Sequence, residues 1–490
     1  MIFKFKYSLT LFFVFSIAIN FSFAQIDSTI GKLTVTEWAD NKLSAFSFSF
    51  DDGLKSHFVN ARNILNQFNF KGTFFILPPY LTDSEPTIWR YGTWQMFQQL
   101  ASEQNEIGSH TLNHYYLTSI SLGDTSTQNT VFYELYHSQR MIEERIPFQI
   151  CISLAYPFAD HNSAVDSAAA CFYQSARAVG VDANNSLLSE EEFFSLKSYP
   201  VHFSLPRNSL DDDLDELYAF MDWTQNSISQ NRWAIMMVHE VVPFTELVDL
   251  VNQGSYEPIS NEWFSDYCNW LNGKSDSLQV WVATIGEVTK YIRERQNYNY
   301  NIVEITDSTI LINLTDDLDD EIYNYPLSCF IKIPTDWEAA RFTQNNLSET
   351  LIPVSTDSGN YVLAKIIPDG GKVTLKPTSP NSTNFSNDII SEFKLEQNYP
   401  NPFNPTTKIR FSIPRSTEYY SVLQNVTLKI YDIVGNEVVT LVNEPKEPGY
   451  YEVELSAGSF GNATEFASGV YFYRLQAGSF ISTKKMMLLR

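Results

Sequence analysis

From residue 46 the chain reads FSFSFDDG: phenylalanine alternates with serine, and two aspartates and a glycine follow. Period-two alternation marks a half-buried strand, because successive side chains point to opposite faces. AFSFSF is therefore predicted as a strand that runs out at two adjacent carboxylates. After it, Phe58, Ala61, Ile64, Leu65 and Phe68 recur at helical spacing, and GTFFIL (72–77) reads as the next strand. The same alternation returns in TWQMFQQLASEQ, EIGSH and QICISLAYPF (149–158), with WAIMMVHE (233–240) as the last strand of the series. Strands and helices that alternate over residues 35–295 predict an α/β domain with a largely parallel sheet or barrel.

The pattern changes after residue 300. STILINL and KVTLKP alternate without helical periodicity, which predicts a small β module over 300–376. Its acidic run DDLDDE lacks the glycine and terminal glutamate of a calcium-binding loop and reads as a solvated loop. A polar linker, 377–392, opens with PTSPNSTNFSND, and a last module, 393–490, alternates again in TLKIYDIVG, YYEVELS and GVYFYRLQAG.

Composition narrows the function. The chain has 490 residues, 44% hydrophobic, enough for two or three domains by the usual size prior. A formal net charge of −24 repels phosphate backbones and anionic lipid headgroups, so a neutral or cationic partner is expected and nucleic acid is not. Residues 1–24 carry Lys4 and Lys6, then an apolar run, then Ser22 and Ala24, the order of a removed signal peptide. No later segment is apolar for long enough to span a membrane. The four cysteines share no CxxC spacing, so a structural zinc cluster is disfavoured, while disulfides are permitted in an exported protein.

Two short stretches carry candidate chemistry. Asp51 and Asp52 stand where the first strand ends, a place where neighbouring carboxylates can take different jobs at a pocket mouth, although Asp-Asp-Gly is also a common turn. GSHTLNH (108–114) puts His110 and His114 four apart, on one face of a helix or a wide turn. Two histidines and one carboxylate make a three-ligand site with open positions, as in catalytic zinc and some non-haem iron enzymes. Threonine at position 111 disfavours an HExxH protease.

FSFDDG, GSHTLNH, LAYPFAD and MMVHE occur in the order and at roughly the spacing of the polysaccharide deacetylases of the NodB-homology type, carbohydrate esterase family 4, and residues 35–295 resemble that domain. The resemblance implies a distorted (β/α) barrel with a divalent metal, commonly zinc, at the C-terminal ends of its strands. It implies Asp52, His110 and His114 as metal ligands, Asp51 as catalytic base, His239 as acid, and the backbone N–H of Phe158 as an oxyanion donor. The implied reaction is hydrolysis of N- or O-acetyl groups of a polysaccharide.

The chain departs from that family at Ala155, where many members carry the arginine that pairs with the catalytic base. On the sequence alone, Asp51 would then rely on the metal's charge to stay ionised. The family's acidic motif before the final histidine is not evident, and neither DDDLDE (211–216) nor MDWT (221–224) receives a role. FKLEQNYPNPFNPTTKIRFSIP, KIYDIVGNEVVTLVN and KKMMLLR resemble the C-terminal sorting domain of the type IX secretion system of Bacteroidota, which implies a β-sandwich, export through the periplasm, and release or cell-surface attachment. Two rival readings use the same barrel: a catalytically idle glycan-binding protein, suggested by Ala155, and a small-molecule C–N amidohydrolase.

Overall fold

A computed structural model describes residues 30–84, 90–201, 210–252, 255–256 and 258–379. Of the C-terminal hundred residues it describes 393–395, 398, 401, 403–404, 406–413, 424–432, 436–446, 449–456, 469–477 and 480–488. The expected signal peptide and most of the expected linker lie outside the described residues.

The centre is a parallel eight-stranded sheet. Its strands are β1 (Ser44–Phe50), β2 (Gly72–Ile76), β3 (Glu106–Ser109), β4 (Ser153–Ala155), β5 (Ser175–Val179), β6 (Leu196–Pro200), β7 (Trp233–Val238) and β8 (Val280–Val282). Strand β1 pairs with β7 from Ala45 to Phe50, which closes β1 to β7 into a barrel. Its other edge is shared: β8 takes Ser44–Phe46 and β2 takes Phe48–Phe50. That divided edge is the barrel's distortion. It also corrects the sequence reading, since WAIMMVHE is not the last strand of the series. Strand β8 has three residues, too few to show a period.

Every residue of β1 is buried, where alternation alone predicts a half-buried strand. Closure gives the reason. The phenylalanine face packs on the helix Asn261–Asp276, with Phe48 edge-on to Phe264 at 5.6 Å and Phe46 against Tyr267 at 5.6 Å. The serine face meets other strands inside a narrow barrel, where small side chains fit. There Ser47 Oγ accepts a 3.0 Å hydrogen bond from the Trp233 indole.

The β module comprises two antiparallel sheets. One contains Leu33–Val35, which pairs with Cys329–Ile331 of the strand Leu327–Ile333, so the chain enters the module's sheet before it builds the barrel. Barrel and module share one continuous apolar core. The C-terminal segment has its own core, in which Ile409 and Phe411 of one sheet pack with Leu428 and Leu475 of another. All four cysteines are free thiols, so the permitted disulfides are not formed. Among the described residues no helix is long and apolar enough to cross a membrane.

Candidate active site

The carboxyl ends of β1, β3, β4, β5 and β7 converge on one mouth. Asp51 continues the β1 ladder, its N–H donating to Val238 O at 3.1 Å, and only 2% of the residue is exposed. Asp52 then turns out with φ 74° and Gly53 follows with φ 68°. Two successive left-handed residues make a tight turn, and a Cβ on Gly53 would stand 3.3 Å from Ile76. The DDG stretch is thus a turn that places both carboxylates at the mouth. The turn is what directs Asp51 inward and Asp52 to the rim.

His110 follows β3, and its N–H donates to Ile76 O at 2.9 Å. Residues 110–114 form a wide turn and not a helix, with φ 65° at Thr111 and 58° at His114. Buried Glu134 clamps this turn, accepting 2.7 Å bonds from the Asn113 backbone and side chain. The His110 Nδ1–H donates to Ala155 O at 2.8 Å, which sets the tautomer and leaves Nε2 as an acceptor. That Nε2 lies 3.5 Å from Asp52 Oδ1 and 3.2 Å from His114 Nε2, and His114 Nε2 lies 3.6 Å from the same oxygen.

Arg177, on β5, was not anticipated. Its Nη2 donates to Asp51 Oδ2 in a buried ion pair, and its Nη1 donates to Ser198 Oγ on β6 at 3.0 Å. Phe75 lies under the guanidinium, 5.3 Å from ring centre to Cζ. Ala155 is fully buried at the end of β4, so the partner of Asp51 comes from the next strand. This overturns the expectation that Asp51 lacks an arginine. The available signal was a lone arginine inside the short apolar run SARAV.

His239 lies just past β7, 8% exposed, with its ring 4.9 Å from that of Tyr256. His57, in a π-helical turn at His57–Ala61, places Nε2 2.5 Å from the His239 carbonyl and braces the end of β7. Phe158 sits in the 3₁₀ turn Pro157–Ala159 with φ 59°, and its ring lies 4.5 Å from that of His114. The structure thus brings all six predicted residues to one mouth. DDDLDE and MDWT fall on the helix Leu210–Ser229.

The electrostatics separate the two aspartates. Burial alone would raise the Asp51 carboxyl, but the Arg177 guanidinium, with His110 and His239, outweighs it and holds Asp51 below the ordinary carboxylate range. Burial, then the charge of Asp51, pushes Asp52 up to about 7. Burial lowers His110 to about 3 and His239 to about 4, and also lowers His114. Two neutral imidazoles and a carboxylate with a buried, unpartnered Oδ1 therefore face one another, with all three ligand atoms within 4.8 Å. This donor set fits a divalent cation.

Comparison with known proteins finds relatives of two segments of the chain. Residues 40–175 match the family described as polysaccharide deacetylase, and residues 397–489 match the secretion system C-terminal sorting domain. The chain carries both domains. The first match spans Asp51, Asp52, His110, His114 and Phe158 but ends before Arg177 and His239. A gellan lyase from a Bacillus species is 26% identical over 375 residues, 74% of this chain, and the chain spans only 14% of that protein's length. Among solved structures, the Xyl-CE4 domain of a multidomain xylanase from the hindgut metagenome of Trinervitermes trinervoides is 13% identical. It covers 50% of this chain and 89% of its own, with a TM-score of 0.32. A polysaccharide deacetylase from Bacillus cereus is 18% identical, covering 34% and 49%, with a TM-score of 0.27.

Proposed function

We propose that residues 35–295 are a secreted, metal-dependent deacetylase that hydrolyses N- or O-acetyl groups of a polysaccharide. The observation that carries this reading is the unlike environment of two neighbouring carboxylates: Asp51 is paired with Arg177, and Asp52 faces two neutral imidazoles. Asp52, His110 and His114 would hold a divalent cation, zinc being the metal expected for this family, and it would supply Lewis acidity toward the acetyl carbonyl and the attacking water.

The chain's own groups do the rest. Arg177 fixes Asp51 Oδ2 and leaves Oδ1, which has no hydrogen-bond partner among the described residues, free to take the proton of the water. The hydroxyl joins the acetyl carbon, the C–N or C–O bond breaks, and the proton that Asp51 took from the water passes by way of His239, neutral at rest, to the departing amine or alcohol. The Phe158 N–H serves the developing oxyanion. An intact Arg177–Asp51 pair removes the motive for an idle glycan-binding protein. The sorting domain supports an exported enzyme and not an internal small-molecule amidohydrolase.

Acetate release across acetylated glycans, measured beside metal content, tests the assignment. Asp51→Asn should keep the metal and lose roughly a hundredfold or more in turnover, the range of a lost general base. Asp52→Asn should lose metal as well. Full activity in Asp51→Asn overturns the mechanism. The wider layout proposed is a signal peptide over 1–24, a β accessory module over 300–376, a linker over 377–392 and a type IX address over 393–490. A chain ending at residue 392 should stay active but remain in the periplasm of its native host, and normal export of that chain would refute the address.

A further inference from the structure

Beside the mouth, two aromatic rings stand in solvent where an apolar group is ordinarily covered. Phe158 and Tyr116 are each 54% exposed, and their rings stack at 4.0 Å with planes 9° apart. They come from different segments, the turn after β4 and the turn after His114, and both segments are pinned. Asp160 accepts bonds from the Thr118 backbone and hydroxyl, each at 2.7 Å, which ties one turn to the other. Asp166 accepts a 2.8 Å bond from the Tyr156 hydroxyl and lies 2.9 Å from His161 Nδ1, and the Tyr156 and His161 rings stack at 4.8 Å. Phe158 and Ala159 both hold positive φ, 59° and 52°, a conformation costly to residues with a Cβ. A strained, doubly clamped turn that lifts an aromatic ring out of the core indicates a use for the exposed ring.

We infer that the Phe158–Tyr116 stack is a sugar platform: it receives the C–H face of a pyranose ring in the acetylated polysaccharide and sets that ring beside His114. The location selects the occupant. The Phe158 ring is 4.5 Å from that of His114, so whatever covers the stack is contiguous with the group at the mouth. A flat, rigid, uncharged pair suits the apolar face of a sugar and gives a phosphate no charge to pair with. Tyr256, 57% exposed with its ring 4.9 Å from that of His239, adds another aromatic ring beside the proposed acid. The inference rests on the deacetylase reading, and its test must fail separately from that reading.

The variant to make is Tyr116→Ala, with Tyr116→Trp as the conservative partner, because Phe158 also bears the proposed oxyanion donor. With partially acetylated chitosan and acetylated xylan as probes, Tyr116→Ala should raise KM about tenfold while kcat stays within about twofold, since half-covering one aromatic ring is worth about that factor. Tyr116→Trp should keep the wild-type KM. Affinity electrophoresis in the same glycans measures binding without turnover, and there Tyr116→Ala should run unretarded where the wild type is slowed. An unchanged KM and mobility in Tyr116→Ala, or a fall in kcat at fixed KM, would overturn the platform. If the wild type releases no acetate from these glycans or from 4-nitrophenyl acetate, the deacetylase reading fails. The electrophoresis still decides the platform in that case.

Discussion

Two places among the described residues gather three possible cation ligands within 4.8 Å of one another: Asp52, His110 and His114 at the barrel mouth, and Asp316, Asp320 and Asp369 in the β module. By distance alone they are equivalent, and their surroundings are not. At the mouth the donors are mixed, Asp52 is largely shielded, and the Ala155 carbonyl fixes the His110 tautomer so that Nε2 faces its partners. In the module all three donors are carboxylates, two of them are exposed, and the loop already uses Asp316 and Asp369. Asp316 Oδ1 accepts from Leu318 N at 2.8 Å, and Asp369 Oδ2 accepts from Asp316 N at 2.8 Å. Asp316 Oδ2 is buried without a hydrogen-bond partner among the described residues. Oriented donors, withdrawn from water and supported from behind, separate a ligand set from a crowded loop.

The largest expected effect breaks the first trio. His110→Ala or His114→Ala should lose most of the bound metal and reduce acetate release to background, because two remaining protein ligands hold zinc poorly. Elemental analysis that finds equal metal in the wild type and both variants would remove the distinction between the trios. An intermediate effect tests the group behind the mouth. Arg177→Met strands a buried carboxylate, so it should cost about 3–5 kcal/mol in a denaturant titration and lower turnover with it. Adding arginine at Ala155, the change that the motif comparison recommends, should instead destabilise by about 1–3 kcal/mol, because that position is fully buried and packed. A variant with Ala155→Arg that gains activity would show that Arg177 does not do the pairing. The smallest effect is expected in the module, where Asp316→Asn with Asp320→Asn should leave metal content unchanged and stability within about 0.5 kcal/mol. Loss of one metal equivalent there would make the second trio a site.

Much of this was legible in the residue order because it is local. Alternation in AFSFSF and the short apolar runs GTFFIL and WAIMMVHE mark strands locally, and His110 and His114, four apart, stay neighbours in a helix or a turn alike. The aspartate pair at a strand end was equally visible, since one peptide bond joins them. What only the tertiary structure decided lies across the barrel. Arg177 is 126 positions from Asp51, on a strand that reaches it only because β1 closes on β7 and curls the sheet so that β5 faces β1. No period or spacing encodes that meeting, and the motif position where it was sought belongs to a different strand. Closure also decided that β1 is buried on both faces, and the side-by-side pairing of β3 with β4 decided that Tyr116 stacks on Phe158 beside His114. Alternation states which residues share a face, but what the face meets depends on where distant segments return, which the local pattern does not carry.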